Sequence, residues 1–170
     1  PDVDKIKSLD PAFDVNGTIT PATSSPISIG ASMIAISSED KANELGVKPK
    51  FRILGRSVVG VDWKVMGSGP LPATEKVLNK CKMKMSDIDA IELNEAFAAQ
   101  ALAVLSDFPI PEEKLNVNGG AVALGHPIGA SGARILVTLL NALEKRALKK
   151  GVAAICLGGG EGLAIAIELP

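Results

Sequence analysis

Three side chains in the second half of the sequence could take part in acid–base and oxyanion chemistry. Asn94 opens the run Asn-Glu-Ala-Phe, His126 lies in a glycine-rich stretch, and Cys156 precedes a run of three glycines. An amide can hold a water or an oxyanion, and an imidazole can act as a base near neutral pH. A thiol beside a base can exchange protons. These residue types indicate acid–base chemistry around a developing oxyanion.

Each of these residues also has a purely structural explanation. Asn94 could cap a helix, His126 could be a buried histidine satisfied by backbone groups, and Cys156 could pack as a small hydrophobe before a tight turn. Glycines around His126 allow close approach by a ligand or another chain, and the positive end of the following helix would keep the imidazole neutral. The glycines after Cys156 are not a dinucleotide-binding fingerprint, because they lack its spacing and join two strands. Both explanations stay open for each of the three residues.

The segments around these residues predict a layered α/β fold. The predicted strands are 31–36, 51–59, 90–94, 115–117, 152–157 and 163–169, and the last two form a hairpin. The predicted helices are 72–80, 95–105, 130–149 and one that begins after Ser37 or Ser38 and ends before Gly46. We therefore expect a mixed sheet with helices on both faces, and functional side chains at strand ends or in loops before helices.

Composition and charge exclude several classes of function. The chain has 170 residues, 46% hydrophobic and 22% charged, which is typical of a folded globular protein. A net charge of −1 and 3% aromatic residues give no footprint for nucleic acid or an anionic membrane. Two cysteines and one histidine are too few for a four-ligand zinc site, so we expect no metal. We expect reduced thiols in the cytoplasm, with the mitochondrial matrix as the alternative.

Three longer motifs contain the candidate residues. They are Asn94-Glu95-Ala96-Phe97, Gly125-His126-Pro127-Ile128-Gly129-Ala130-Ser131-Gly132-Ala133-Arg134 and Cys156-x-Gly-Gly-Gly-x-Gly. Their order and approximate spacing resemble the three C-terminal signatures of the thiolase family. Shorter stretches such as Asn16-Gly17-Thr18-Ile19-Thr20 and Met66-Gly67-x-Gly69-Pro70 are also similar, so the resemblance covers essentially the whole chain. It is closest to the acetoacetyl-CoA thiolases, which are acetyl-CoA acetyltransferases.

The resemblance implies the C-terminal half of the thiolase fold and a two-step acyl transfer. A cysteine in the family's N-terminal half is acylated, and His126 would activate it. With a water held by Asn94, His126 would also line an oxyanion hole. Cys156 would be the acid and base at the α-carbon of acetyl-CoA, and the N–H of Gly158 would join a second oxyanion hole. The resemblance implies substrate contacts at Ser25, Met66 and Phe97, and no cofactor, since the CoA thioester is the substrate.

The acylated cysteine is missing from the sequence. The only cysteine besides Cys156 is Cys81, which lies at a lysine-rich helix end without the family's nucleophile context, so we expect it to be non-catalytic. The resemblance therefore implies a remnant of a loop domain at 1–29, a remnant of the N-terminal domain at 30–47, and a whole C-terminal domain at 48–170.

Two other positions depart from the family pattern. Residues 23–30 read Thr-Ser-Ser-Pro-Ile-Ser-Ile-Gly, where the family typically has Asn-Ala-Ser-Gly-Ile-Asn-Asp-Gly. Pro26 and Ile29 thus replace a glycine and an aspartate beside Ser25, which alters a loop expected to lie near the pantetheine of CoA. Glu161 occupies a position that is more often uncharged, where it would disfavour a thiolate at Cys156 if the two lie close.

Two functions from different classes follow. In the first, the chain is the C-terminal part of a thiolase for acetyl-CoA and acetoacetyl-CoA, inactive without an N-terminal half and assembled as a homo-oligomer. In the second, it is a non-catalytic thiolase-like domain that acts through assembly or ligand binding. A degradative 3-ketoacyl-CoA thiolase is a rival to the first. The three motifs favour an enzyme, and the missing nucleophile and altered loop favour the second function.

Overall fold

The computed structural model describes residues 2–170 and contains a four-stranded mixed sheet. Strands β1 (Arg52–Gly60), β2 (Ala90–Leu93), β3 (Lys150–Cys156) and β4 (Glu161–Glu168) lie in the order β1-β4-β3-β2. β4 is antiparallel to both of its neighbours, and β2 is parallel to β3. Because β2 and β3 run in the same direction, their carboxyl ends, which lead into Asn94 and Cys156, lie at one edge of the sheet.

Helices cover both faces of this sheet, as the sequence predicted. The helices are α1 (Val3–Lys7), α2 (Glu39–Glu44), α3 (Pro70–Lys80), α4 (Ala98–Asp107), α5 (Ala121–Leu124) and α6 (Ile128–Arg146), with 3-10 segments at Trp63–Ser68, Met85–Asp87 and Glu112–Lys114. α3 and α4 pack on one face around a buried cluster that includes Val77, Val104 and Val152. α6 packs on the other face through Ile135, Leu139 and Leu143. Among residues 2–170, no helix is long and apolar enough to cross a membrane.

The hairpin, the helix after Ser38 and the long helix near the C-terminus lie where the sequence predicted them. β3 and β4 pair from Lys150 and Glu168 to Cys156 and Gly162, which confirms the hairpin. Ser38 is the N-cap of α2, and its side chain accepts a hydrogen bond from the Lys41 N–H. α6 ends at Arg146 rather than at 149, because Ala147 adopts a left-handed conformation with φ of 54°.

Two predicted strands are wrong. Residues 31–36 form no strand, because the described residues provide no strand beside them, and Met33 and Ile36 are exposed. Residues 115–117 make only an isolated parallel bridge between Leu115 and Ile91. That pairing stops because Asn116 has a φ of 43°, which turns the chain away from β2.

The predicted helix 95–105 begins three residues late, at Ala98. Phe97 is extended, with φ of −138° and ψ of 147°, and forms an isolated antiparallel bridge with Ser24. The Asn-Glu-Ala-Phe run is therefore a loop between β2 and α4. The side chains of this run therefore project from a loop at the end of β2, and not from a helix.

Candidate active site

Asn94 and His126 meet at the carboxyl end of β2. Their side chains approach to 3.4 Å between Asn94 Nδ2 and His126 Nε2. Asn94 is 1% exposed, and its backbone N–H donates to the Ala154 carbonyl of β3 at 2.9 Å. Phe97 rather than Asn94 precedes α4, so the capping explanation for Asn94 is wrong. Asn94 is a buried amide directed at an imidazole.

Asn116 and Glu95 fix the loops that bear Asn94 and His126. The Asn116 amide pairs with both backbone groups of Leu93 at 2.9 Å and so occupies the open edge of β2. Its Nδ2 also donates to Glu95 Oε1 at 2.8 Å, and the second Glu95 oxygen accepts the Val122 N–H at 3.1 Å. This Asn116–Glu95 clamp ties the end of β2 to the glycine-rich loop before His126.

Gly120 makes the clamp sterically possible. A Cβ at position 120 would lie only 1.9 Å from the Glu95 carboxyl carbon. Glycine is therefore required there for the carboxylate to reach the loop. The sequence analysis quoted Glu95, Asn116 and Gly120 within motifs but gave them no role. Only the fold brings these three positions together.

The surroundings of His126 favour a neutral imidazole. Burial lowers its pKa, and the nearby positive charge of Arg134 lowers it further. Its Nδ1 lies 2.6 Å from the Ser131 hydroxyl, in the first turn of α6. The partners of His126 are thus the side chains of Asn94 and Ser131, and not backbone groups, as they would be for a histidine with a purely structural role. A neutral imidazole at pH 7 can accept a proton.

Cys156 is the last residue of β3 and is 7% exposed. Burial raises the pKa of its thiol, and a backbone hydrogen bond offsets part of that increase. Cys156 therefore rests as a thiol at neutral pH and can donate a proton. Cys156 lies two residues beyond Ala154, whose carbonyl accepts the Asn94 N–H. The thiol and the amide are therefore at the neighbouring carboxyl ends of the parallel strands β3 and β2.

The turn between β3 and β4 offers backbone donors next to Cys156. The turn closes through a 2.8 Å bond from the Leu157 N–H to the Glu161 carbonyl, and the Gly160 N–H donates to the Leu157 carbonyl. Gly158 is exposed, and among residues 2–170 its N–H has no acceptor. The Glu161 side chain lies over Gly159, where a Cβ would be 2.7 Å from a carboxylate oxygen. The Gly158 N–H is thus available to a ligand.

Ser25 lies against the loop Asn94-Glu95-Ala96-Phe97. The Ser25 hydroxyl and backbone N–H both donate to the Ala96 carbonyl, at 2.9 and 3.1 Å. The Phe97 ring makes an edge-to-face contact with Phe13 at 5.9 Å between ring centroids. The segment that carries Ser25 also packs against the loop before His126. A Cβ on Gly125 would lie only 2.3 Å from the Ser28 hydroxyl oxygen. Gly125 itself has a φ of 99°, which favours glycine.

Met66 and Cys81 lie on different elements from the central pair. Met66 is in the 3-10 segment Trp63–Ser68, which packs on α4 where Gly67 meets Gln100. Cys81 follows α3 and lines a surface depression with Lys150 and Glu168. Those two residues stand at the opposite end of the β3–β4 hairpin from Cys156, a distance of roughly 20 Å along a seven-residue strand. Cys81 is therefore outside the site.

Glu92 and Arg134 are charged residues whose electrostatic influence near the site was missed by sequence analysis. Glu92 is 2% exposed, and burial raises its pKa to about 7. The charge of Arg134 acts in the opposite direction, and that of Glu95 adds to the increase. Arg134 also lowers the pKa of His126, so one guanidinium affects both titrating groups. Alternation along β2 places Glu92 on the face opposite Ile91 and Leu93, and only the packing of α6 on that face shows that it is buried.

Known proteins resemble this chain in sequence and in fold. Residues 47–169 match the family described as thiolase, C-terminal domain. The chain is 50% identical over 165 residues to an acetyl-CoA acetyltransferase of Allochromatium vinosum, covering 97% of this chain and 42% of that protein. It is also 50% identical over 172 residues to a 3-ketoacyl-CoA thiolase of Vibrio parahaemolyticus, covering 99% and 44%.

A solved structure has the same fold. The crystal structure of the Bacillus anthracis acetyl-CoA acetyltransferase aligns with a TM-score of 0.95 at 48% identity, covering 98% of this chain and 42% of that one. The chain thus spans less than half the length of the relatives it matches. The mixed sheet, the helices on both faces and these matches agree, and the chain belongs to the thiolase family, whose C-terminal domain it contains.

Proposed function

We propose that this chain supplies the base, acid and oxyanion-hole groups of a thiolase that converts two acetyl-CoA into acetoacetyl-CoA and CoA, reversibly. The acylated cysteine comes from an N-terminal thiolase half. The observation that carries the proposal is the 3.4 Å approach of Asn94 to His126, beside the thiol at the end of the next strand. The family membership supports acyl transfer as the class of reaction, and CoA is a substrate rather than a cofactor.

In the first step, the neutral His126 takes the proton of the nucleophilic cysteine, and the resulting thiolate attacks the thioester carbon of acetyl-CoA. The new carbon–sulfur bond displaces CoA as a thiolate, which takes the proton of Cys156. The raised pKa of Cys156 supports this role, because a resting thiol has a proton to give. Asn94 Oδ1 has no partner among residues 2–170, so it can accept from a water that faces the oxyanion.

In the second step, the Cys156 thiolate removes a proton from the methyl group of a second acetyl-CoA. The enolate carbon attacks the acetyl group on the nucleophilic cysteine, and the departing cysteine thiolate recovers its proton from the His126 imidazolium. Each catalytic group thus returns to its starting state. The Gly158 N–H, exposed and without an acceptor in the described chain, is available to the enolate oxygen.

Exposed residues before position 50 offer a surface for an N-terminal thiolase half. Large apolar side chains there are exposed, with Ile27 and Ile29 both at 105% and Met33 at 92%. An apolar surface of this kind is rarely left bare, which supports association with an N-terminal half and assembly as a homo-oligomer. Ile29 and Pro26 therefore belong to an assembly surface as well as to the Ser25 loop.

A degradative 3-ketoacyl-CoA thiolase is a second candidate, because relatives of both names match at 50% identity. The two differ in the acyl chain accepted, with Ser25, Met66 and Phe97 as proposed substrate contacts. The altered loop at 23–30 supports the third candidate, a non-catalytic assembly or ligand-binding domain. The free thiols of Cys81 and Cys156 support a reducing compartment, and we propose the cytoplasm, with the mitochondrial matrix as the alternative.

The test is thiolysis of acetoacetyl-CoA by CoA, followed by loss of enolate absorbance. We expect no activity from this chain alone and activity after addition of a matching N-terminal half. His126→Ala and Cys156→Ala should each lower that rate by about 10²–10⁴-fold, while Cys81→Ala leaves it unchanged. A complex that forms without activity would favour the non-catalytic function. Activity of this chain alone that Cys81→Ala abolishes would overturn our assignment of the nucleophile.

A further inference from the structure

The Ser131 hydroxyl faces the imidazole from inside α6. Ser131 is fully buried, and its oxygen lies 2.6 Å from His126 Nδ1. The same hydroxyl donates to the Pro127 carbonyl at 3.0 Å, the bond that a serine commonly makes to the residue four positions earlier in a helix. A hydroxyl has one proton and two lone pairs. With its proton on Pro127, Ser131 can only accept from His126, so Nδ1 carries a hydrogen.

The neighbour of the other ring nitrogen is compatible with the same tautomer. Asn94 Nδ2 lies 3.4 Å from His126 Nε2, and an amide nitrogen can donate but not accept. With the amide in this orientation, Nε2 faces a donor and can present its lone pair. The bond to Ser131 on α6 thus selects which nitrogen is protonated, and Asn94 after β2 is compatible with that choice.

We propose that Ser131 is a positioning residue that holds His126 in the Nδ1–H tautomer, with its basic Nε2 lone pair turned towards the edge of the sheet where Asn94 lies. The role of His126 as a base rests on the proposed function, whereas the tautomer does not. Free histidine prefers the opposite tautomer, which would present an N–H where a thiol proton must be accepted. The bond from Nδ1–H to Ser131 also persists after Nε2 is protonated, so the ring need not turn during the reaction.

The single histidine makes the tautomer directly measurable. A ¹⁵N-labelled sample of the whole chain at pH 8 gives one imidazole spin system in a two-bond ¹H–¹⁵N spectrum. We expect a pyrrole-type shift for Nδ1 and a pyridine-type shift for Nε2. In Ser131→Ala we expect these shifts to exchange or average, because the acceptor for Nδ1–H is lost. An Nε2–H tautomer in the unmodified chain, or an unchanged tautomer in Ser131→Ala, overturns the proposal.

Thr138→Ala is the control, because Thr138 makes the same kind of bond to the Arg134 carbonyl further along α6. It should leave the imidazole spectrum unchanged. If Ser131→Ala fails to fold, the spectrum of the unmodified chain still decides the tautomer. With the N-terminal half added, Ser131→Ala should reduce kcat by up to the roughly 10²–10⁴-fold that a positioned base contributes. The expected tautomer without any acyl transfer would leave the inference standing and count against the proposed function.

Discussion

Asn94 Nδ2 lies 3.4 Å from His126 Nε2, although 32 residues separate the two in the chain. One side chain follows a buried strand, and the other stands in a loop that enters a long helix. Neither position is set by its sequence neighbours alone. The contact depends on the pairing of β2 with β3 and on the Asn116–Glu95 clamp. Loss of either one should therefore separate Asn94 from His126.

We predict that Asn94→Ala lowers acyl transfer in the assembled enzyme by about 10²–10³-fold, because the variant loses the water that donates to the oxyanion and removal of one such donor costs that much. The cause is loss of the amide that faces both His126 and the oxyanion water. Steady-state thiolysis kinetics measure this effect. Asn141→Ala is the control, because that exposed amide bonds only to the Val137 carbonyl on the outside of α6. Equal losses in the two variants would contradict a specific role for Asn94.

The Asn116–Glu95 clamp predicts a loss of stability. Asn116→Gly keeps the backbone conformation accessible but removes three side-chain hydrogen bonds, leaving the buried Leu93 backbone unpaired. We expect the free energy of unfolding to fall by about 1–3 kcal/mol. The free energy of unfolding of Asn116→Ala should be lower still, because at a φ of 43° alanine is more strained than glycine or asparagine. Urea unfolding measures both, with the exposed Asn118→Ala as control. A stability equal to that of Asn118→Ala would refute the clamp.

The two cysteines should differ in their rate of alkylation. Burial raises the pKa of Cys156 and leaves its side chain little exposed, whereas Cys81 is half-buried at a surface depression. We predict that iodoacetamide at pH 7.5 modifies Cys81 first in the folded chain, because the thiolate is the reacting form. Peptide mass spectrometry over time follows both sites. In urea the two rates should converge, and faster labelling of Cys156 in the folded chain would contradict its burial.

Motifs and periodicity predicted the larger elements of the fold because those signals are local. The hairpin, the N-cap at Ser38 and the helix after His126 depend on residues that are close in sequence. The strand predicted at 31–36 failed because an apolar run becomes a strand only when another strand is beside it. The helix predicted to begin at 95 failed because Phe97 pairs with Ser24, a contact over more than seventy residues that no local pattern encodes.

Some residues of the candidate site could be identified from the sequence, and others could not. Asn94, His126 and Cys156 could be identified because their residue types and glycine context suggest chemistry. Ser131 and Asn116 could not, because a serine in a small-residue helix and an asparagine in a turn are ordinary by type. Their roles come from what lies opposite them in the fold, at 2.6 Å from an imidazole and at 2.9 Å from an open strand edge.

The buried Glu92 carboxyl makes the stability of the chain dependent on pH. Burial raises its pKa in the folded state from 4.5 to about 7, with the charge of Glu95 adding to the increase and that of Arg134 opposing it. Between these two values the folded state binds more protons than the unfolded state, so stability falls as the pH rises. His126, whose pKa is lowered, acts with the opposite sign as the pH falls. A comparison of variants that both keep His126 removes that contribution.

We therefore predict that Glu92→Gln, which cannot ionise, flattens the fall in stability from pH 5 to pH 8. The difference between the two chains should change by on the order of 3 kcal/mol over that range, since each pH unit between the two pKa values corresponds to about 1.4 kcal/mol. Urea unfolding at each pH measures it. Glu75→Gln removes an exposed carboxyl on α3 and should keep the pH profile of the unmodified chain. Parallel profiles for Glu92→Gln and the unmodified chain would show that Glu92 is ionised over the whole range and would contradict the prediction.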